Sequence, residues 1–373
     1  MKGEREAIGK KTSQLVPLLL DWFAKNARDL PWRKTSDPYA IWVSEIMLQQ
    51  TQVKTVIPFW ERWMHELPTI QSLANTKPER VLKLWEGLGY YTRARNLQNA
   101  AKMICEKHSG KFPETFDDIL ALPGIGRYTA GAICSIAFNQ PKPILDGNVI
   151  RVLTRVFGIS ENPRDKKTNE QLWNLAEGLV SHAKAQSSRR KRASNFAVFA
   201  PLREANCSFL NQSLMELGAL VCTPRQTKCF ECPVKINCVA CAENRIEELP
   251  NLEKRSEPTK RRFVAFIVAN KARFLVRQRP AKVVNAHLWE FPNVELNGDN
   301  SVLEKQPFSI SPKTAPLCTI KHSITRYRIT LDAFRATPRS NEKLSDGKWL
   351  RISEMQKLAF SSAHRQILEK LAR

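Results

Sequence analysis

Leu122-Pro123-Gly124-Ile125-Gly126-Arg127-Tyr128-Thr129 stands between two stretches of helical periodicity, residues 116–122 and 128–138. Two glycines one residue apart permit a tight turn between those helices and a close approach by another backbone or a ligand. The first N–H groups of the second helix have no intrahelical partners, so the turn presents donors that suit a phosphate. Glycine is common in helix connections, and by itself this turn identifies nothing.

Downstream lies Leu145-Asp146-Gly147-Asn148-Val149. Asp146 falls where the next helical pattern, residues 149–157, begins, and on sequence alone it reads as an N-cap. A helix N-terminus also keeps a carboxylate ionised, and an ionised carboxylate can stabilise a cation formed in a reaction. Further helices fit residues 78–86, 93–108, 169–180 and 211–221. Upstream, Asp37-Pro38 reads as a cap followed by proline at the first helical position, with a break expected near residues 50–52. Leu15, Leu18, Leu19, Trp22 and Phe23 recur at helical spacing behind Ser13 as a cap.

Cys222-x6-Cys229-x2-Cys232-x5-Cys238 places four thiols within 17 residues. Nine cysteines without a secretion signal suit metal ligation in a reducing compartment better than disulfides. Four cysteines can hold zinc or an iron–sulfur cluster, and spacing alone leaves zinc open. The short compact loop with Pro233 favours the cluster.

Lys and Arg outnumber Asp and Glu by 59 to 36 in 373 residues, a formal charge of +23, which points to a polyanionic partner. The apolar run at residues 15–20 is too short to span a bilayer and lacks a cleavage site, so no membrane role and a cytoplasmic location (at the nucleoid, if the source is bacterial) are expected. Residues 184–208 read as a basic surface loop, with Arg189, Arg190, Lys191 and Arg192 at its centre. They either meet DNA phosphates or are simply solvated. From residue 246 to 261 the chain reads as a charged linker. Beyond it, residues 263–269 and 273–279 read as a strand pair, 324–334 as a further strand and 362–371 as a helix.

Taken together, the glycine turn, Asp146 and the cysteine loop resemble the endonuclease III superfamily of helix-hairpin-helix DNA glycosylases. Asp29-Leu30-Pro31-Trp32-Arg33, Ser44-Glu45-Ile46-Met47-Leu48-Gln49-Gln50-Thr51 and Gly87-Leu88-Gly89-Tyr90-Tyr91 narrow the resemblance to the MutY adenine glycosylases. The resemblance implies a mainly α-helical glycosylase domain at residues 1–245, with the hairpin at about 115–136 and a [4Fe–4S] loop at 222–238. A smaller α+β Nudix-like domain would follow at 262–373. The implied reaction is hydrolysis of the bond to adenine mispaired with 8-oxoguanine or guanine in double-stranded DNA, by a single chain.

The resemblance also distributes roles. Glu45, on an apolar helix, becomes the general acid, although periodicity alone would leave it on a polar face. Asp146 stabilises the oxocarbenium-like sugar, and Asn148 and Tyr128 position it. Tyr128 stands where bifunctional relatives carry a Schiff-base lysine, which implies a monofunctional enzyme. Arg28, Trp32, Leu48 and Gln212 line the adenine pocket, with Arg33 beside them. Gln50 and Tyr90 enter the duplex, and Gly124 and Gly126 grip a phosphate. Trp32 and Tyr90 also read as ordinary core residues.

Leu288-Trp289-Glu290-Phe291-Pro292 resembles a Nudix turn, but no acidic helix follows Asn293-Val294-Glu295-Leu296, so nucleotide hydrolysis is not expected. Where the family commonly reads Phe-Ser-His, this chain has Ile324-Thr325-Arg326. Thr325 keeps a hydroxyl for the oxidised purine, and Arg326 replaces a histidine. Competing readings are a thymine or oxidised-pyrimidine glycosylase, a non-catalytic DNA-binding protein and a Nudix hydrolase. Tyr128, the Glu45–Asp146 pair and the missing acidic helix argue against them in turn.

Overall fold

The computed structural model describes residues 2–193, 206–253, 257–296, 301–311, 314–339 and 347–373. Its residues pack into two units, Met1–Gln71 with Ala100–Lys254, and Ser72–Asn99 with Arg255–Arg373.

The first unit is helical. It comprises α1 (Lys2–Asn26), α2 (Pro38–Leu48) and α3 (Val53–Glu66). The chain then runs through α4 (Ile70–Asn75), α5 (Pro78–Leu84) and α6 (Thr92–Lys107), which carry it across the second unit and back. The glycine turn joins α7 (Phe116–Leu120) to α8 (Arg127–Ile136), and α9 (Gly147–Phe157), α10 (Lys166–Ala193) and α11 (Asn206–Leu220) follow. Val149, Val152, Leu153 and Val156 recur on one face of α9 at the helical period. That face packs with Leu15 and Leu19 of α1, Leu172 and Leu179 of α10, and Leu210, Leu214 and Leu217 of α11. Helix α2 is buried on every side from Tyr39 to Met47, as a helix apolar all round must be.

Two helices outrun the sequence reading. Helix α1 begins near Lys2 and passes through Pro17, and the Ser13 hydroxyl donates to the Lys10 carbonyl instead of capping a start. Helix α10 continues to Ala193, so the first part of the expected basic loop at 184–208 is helix; residues 194–205 lie outside the described residues. A polar, charged stretch without an apolar stripe reads as loop, yet Lys, Arg, Gln and Ala are good helix formers.

The second unit is built on an eight-stranded sheet. Strand β1 (Thr259–Asn270) runs antiparallel to β2 (Arg273–Gln278) and β4 (Asn293–Glu295) and parallel to β7 (Tyr327–Pro338); β3 (Trp289–Glu290) pairs with β2, and β5 (Phe308–Ser309) and β6 (Cys318–Ile324) pair with β7. Ala265 and Ile267 of β1 face one core, with Phe291, Phe360 and Ile367. Val264, Phe266 and Val268 face another, with Leu275 and Phe308. This is the period of two that a strand buried on both faces requires.

Three sequence expectations shift here. Strand β1 starts at Thr259, inside the expected linker, because its first residues pair with Tyr327 and Arg328. The run 324–334 is not one strand: Thr325 and Arg326 turn the chain between β6 and β7, with Thr325 at φ 52°. Residues 72–99, read as part of the helical domain, pack in the second unit.

Candidate active site

Helix α2 ends at Leu48, and Gln50 adopts φ 57° before α3 begins. This break and the starts of α8 and α9 frame a cavity of about 530 Å3 in the first unit. Glu45, Tyr128, Asp146 and Asn148 line it, together with Arg28, Trp32, Arg33, Leu48, Gln50 and Gln212. Gly126 caps α8 just before Tyr128, whereas Gly124, at φ 80°, takes the left-handed conformation that makes the turn possible. A Cβ on Gly126 would meet nothing, so that position is free of the chain's own packing.

Glu45 is 5% exposed because α2 is buried all round. Burial raises its pKa to about 7, while the hydrogen bond from Tyr128 and the charge of Arg33 hold it back. The Tyr128 hydroxyl donates to Glu45 Oε2 at 2.8 Å, a contact with the acid that the sequence does not foretell. Asp146 is the N-cap of α9, accepting from Val149 N–H at 2.7 Å, while Asn148 Nδ2 donates to its other oxygen at 2.9 Å. Burial nonetheless raises its pKa above the ordinary value against the pull of those donors and of Arg151, a direction opposite to the helix-dipole expectation.

The structure adds residues the sequence reading missed. Glu216 of α11, 1% exposed, receives Arg28 Nη2 at 2.7 Å and Arg33 Nη2 at 2.9 Å. Burial alone would raise its pKa, but the two guanidiniums lower it to about 2. Arg33 also reaches Gln212 Oε1 at 3.0 Å. A carboxylate 188 residues from Arg28 in the chain has no local signature. Arg151 is the other omission: it reaches Asn148 Oδ1 at 2.8 Å, Gly218 O at 2.7 Å and Cys222 O at 2.6 Å. Trp32 is both core and lining, packed edge-to-face on Trp60 at 6.0 Å.

Cys222, Cys229, Cys232 and Cys238 line a second, small cavity walled by Val152, Val156 and Leu217. Burial pushes the Cys232 thiol up to about 12 and raises Cys238, with the neighbouring sulfurs adding to both. Four thiols lining one small cavity are a donor set that suits a cluster ligated by all of them. Arg155 Nη1 lies 3.4 Å from Cys222 Sγ, a donor suited to a ligated sulfur.

Tyr90, Thr325 and Arg326 belong to the second unit. Tyr90 is exposed at φ 45°. Thr325 Oγ1 donates to the Ile324 carbonyl, and the Arg326 guanidinium lies over the Tyr327 ring.

The fold and this cavity place the chain in a class. Residues 43–177 match the HhH-GPD superfamily of base excision DNA repair proteins, and residues 263–370 match the NUDIX domain. Among solved structures, a thermostable thymine-DNA glycosylase superposes with a TM-score of 0.53 at 28% identity, covering 63% of this chain and 98% of that one. The Adenine DNA glycosylase of Rattus norvegicus is 34% identical, over 94% of this chain and 76% of its own. That of Buchnera aphidicola subsp. Acyrthosiphon pisum is 39% identical, over 74% and 73%. The chain belongs to the adenine DNA glycosylase family, enzymes of base excision repair that act on DNA as N-glycosylases. Among the described residues no helix is long and apolar enough to cross a membrane.

Proposed function

We propose that this chain hydrolyses the N-glycosidic bond of adenine mispaired with 8-oxoguanine or guanine, through Glu45 and Asp146. The observation that carries the reading is a carboxyl with a pKa of about 7 sharing one cavity with a helix-capping aspartate. Glu45 gives its proton to the N7 of a flipped adenine, held by its bond from Tyr128. The bond from the sugar to the base then breaks with its electron pair leaving on adenine. Asp146, oriented by Asn148 and Val149, faces the oxocarbenium-like sugar, and water completes the hydrolysis. Arg28, Arg33, Trp32, Leu48 and Gln212 would enclose the base, with Glu216 fixing the two arginines.

No lysine stands at position 128, so the reading is monofunctional. Both carboxylates come from one chain, so a monomer suffices. Gly124 and Gly126 would meet a phosphate, and Gln50 and Tyr90 the opened duplex. Thr325 and Arg326 would meet the base opposite adenine. Cys222, Cys229, Cys232 and Cys238 would hold a [4Fe–4S] cluster, whose contribution when bound is to fix the shape of that loop.

The test is strand cleavage by alkali after incubation with duplexes carrying adenine opposite 8-oxoguanine, guanine or cytosine, and thymine opposite guanine. Alkali-dependent cleavage at adenine opposite the two purines supports the reading. Cleavage at thymine, or abundant enzyme–DNA adduct trapped by borohydride, would overturn it.

A further inference from the structure

Tyr90 sits in a turn whose backbone is strained. Gly87 and Gly89 have φ of 112° and 70°, and Tyr90, which has a Cβ, is held at 45°. Such a conformation persists only where its surroundings over-determine it. Part of the restraint is local. Trp85 Nε1 donates to the Gly89 carbonyl at 3.0 Å. Arg93 Nη2 donates to the carbonyls of Leu88 at 3.0 Å and Gly89 at 3.2 Å, and its guanidinium lies against the rings of Trp85 and Tyr90.

The rest of the restraint comes from far along the chain. Glu86, at the root of the turn, accepts the Phe360 N–H on Oε1 at 2.8 Å. Its Oε2 meets Lys83 Nζ at 2.5 Å and lies 3.7 Å from Arg365 Nη1. Lys83 also donates to the Leu358 carbonyl at 3.1 Å, and Tyr91 Oη to the Phe360 carbonyl at 3.4 Å. Past the turn, Arg95 donates to the Ala286 carbonyl at 2.9 Å. The ties of Lys83, Glu86, Tyr91 and Arg95 described here end on residues 286–365 of the same unit. The Glu86 carboxylate joins them by charge as well as by hydrogen bonding, and its side chain is only 12% exposed, where such pairs are little screened.

We propose that Glu86 is a positioning residue: by binding Phe360, Arg365 and Lys83 together, it makes the placement of the Tyr90 turn depend on the Nudix-like part of the chain. The proposal rests on the reading that Tyr90 enters the duplex. It assigns to the Phe360–Arg365 segment a task separate from reading the base opposite adenine. Seating that part on DNA and seating Tyr90 then become one event, felt in binding and not in bond cleavage.

The test is a double-mutant cycle on the full-length protein with Glu86→Ala, Tyr90→Ala and both. Binding to a duplex carrying an uncleavable adenine analogue opposite 8-oxoguanine is measured beside the single-turnover excision rate at saturating enzyme. The expected result is that each single substitution weakens binding about tenfold, while the double is no worse than Tyr90→Ala. The saturating rate of Glu86→Ala stays within about twofold of the parent. Glu86→Gln, which keeps the acceptor for Phe360 N–H but loses the charge that meets Lys83 and Arg365, recovers part of the binding at unchanged thermal stability, a rescue that general destabilisation would not give. Additive losses, or a loss in the saturating rate equal to that in binding, overturn the proposal. If Tyr90→Ala weakens binding and Glu86→Ala does not, the clamp fails and the reading of Tyr90 stands. If Tyr90→Ala binds normally, both fall.

Discussion

Glu45 costs the fold stability only when it loses its proton. Its pKa of about 7 lies above the 4.5 of an exposed glutamate, chiefly because burial penalises the charge. A group whose folded pKa is raised contributes stability fully below pH 4.5 and loses it as pH rises through about 7. The window is worth on the order of 3 kcal/mol at most. Glu45→Gln keeps an acceptor for Tyr128 and sheds the charge. It should therefore melt higher than the parent at pH 8, with the gap closing towards pH 4.5, while excision falls by roughly two to four orders of magnitude. Thermal melts across pH with single-turnover assays check both, and a lower melting point at pH 8 would count against a buried acid. Tyr128→Phe separates the parts further. The lost bond stabilised the ionised carboxylate, so the Glu45 pKa should rise and the alkaline limb of the excision profile should move to higher pH. None of this was legible from periodicity. Periodicity alone leaves Glu45 on a polar face, whereas α2 is buried on all sides, so its role comes from resemblance.

At the scale of elements, the site depends on how closely α11 approaches the start of α9. A Cβ built on Gly218 would lie 2.6 Å from Asn148 Cβ and 3.0 Å from its Cα and carbonyl oxygen. Those are backbone neighbours that cannot swing aside, and Asn148 is the residue that orients Asp146. Gly218→Ala should push the two helices apart, costing about 1–3 kcal/mol of stability. It should slow excision while leaving duplex affinity nearly unchanged; calorimetry and binding titration give the two numbers, and wild-type excision would show the approach to be slack. The starts of elements were legible where a side chain does the capping. Asp37 before Pro38 and Asp146 before Gly147 both accept the N–H groups their positions foretold. The extent of α10 was less so, because residues 184–193 lack the apolar stripe that marks a helix in sequence. Residues 72–99 illustrate the same limit. Their helical pattern is plain, but the ties of Lys83, Glu86 and Arg95 to residues 286–365 are non-local and leave no periodic trace.

Over the whole molecule, the two units carry buried titratable groups that answer acid in opposite ways. In the first, the Glu45 contribution grows as pH falls from about 7 towards 4.5. In the second, His364 is buried beside Glu290, which itself pairs with Arg277 and Arg279, and its Nδ1 accepts the Phe291 N–H at 3.1 Å, which requires that nitrogen to be unprotonated. Burial lowers its pKa to about 4, against the pull of Glu290. A histidine kept neutral in this way contributes stability that is complete above pH 6.5 and is lost as pH falls through about 4, again on the order of 3 kcal/mol. Between pH 6.5 and 4.5 the two contributions therefore run against each other, and the single-site variants separate them. Glu45→Gln should remove the part of the full chain's thermal profile that strengthens on acidification. His364→Asn, which offers an oxygen to the Phe291 N–H without a titrating ring, should remove part of the loss. Differential scanning calorimetry of the parent and both variants at pH 7.5, 6, 5 and 4.5 measures this. The expected signs are a Glu45→Gln advantage that shrinks with acid and a His364→Asn advantage that grows with it. If both differences moved the same way with pH, the burial that raises one group and lowers the other would not be the cause.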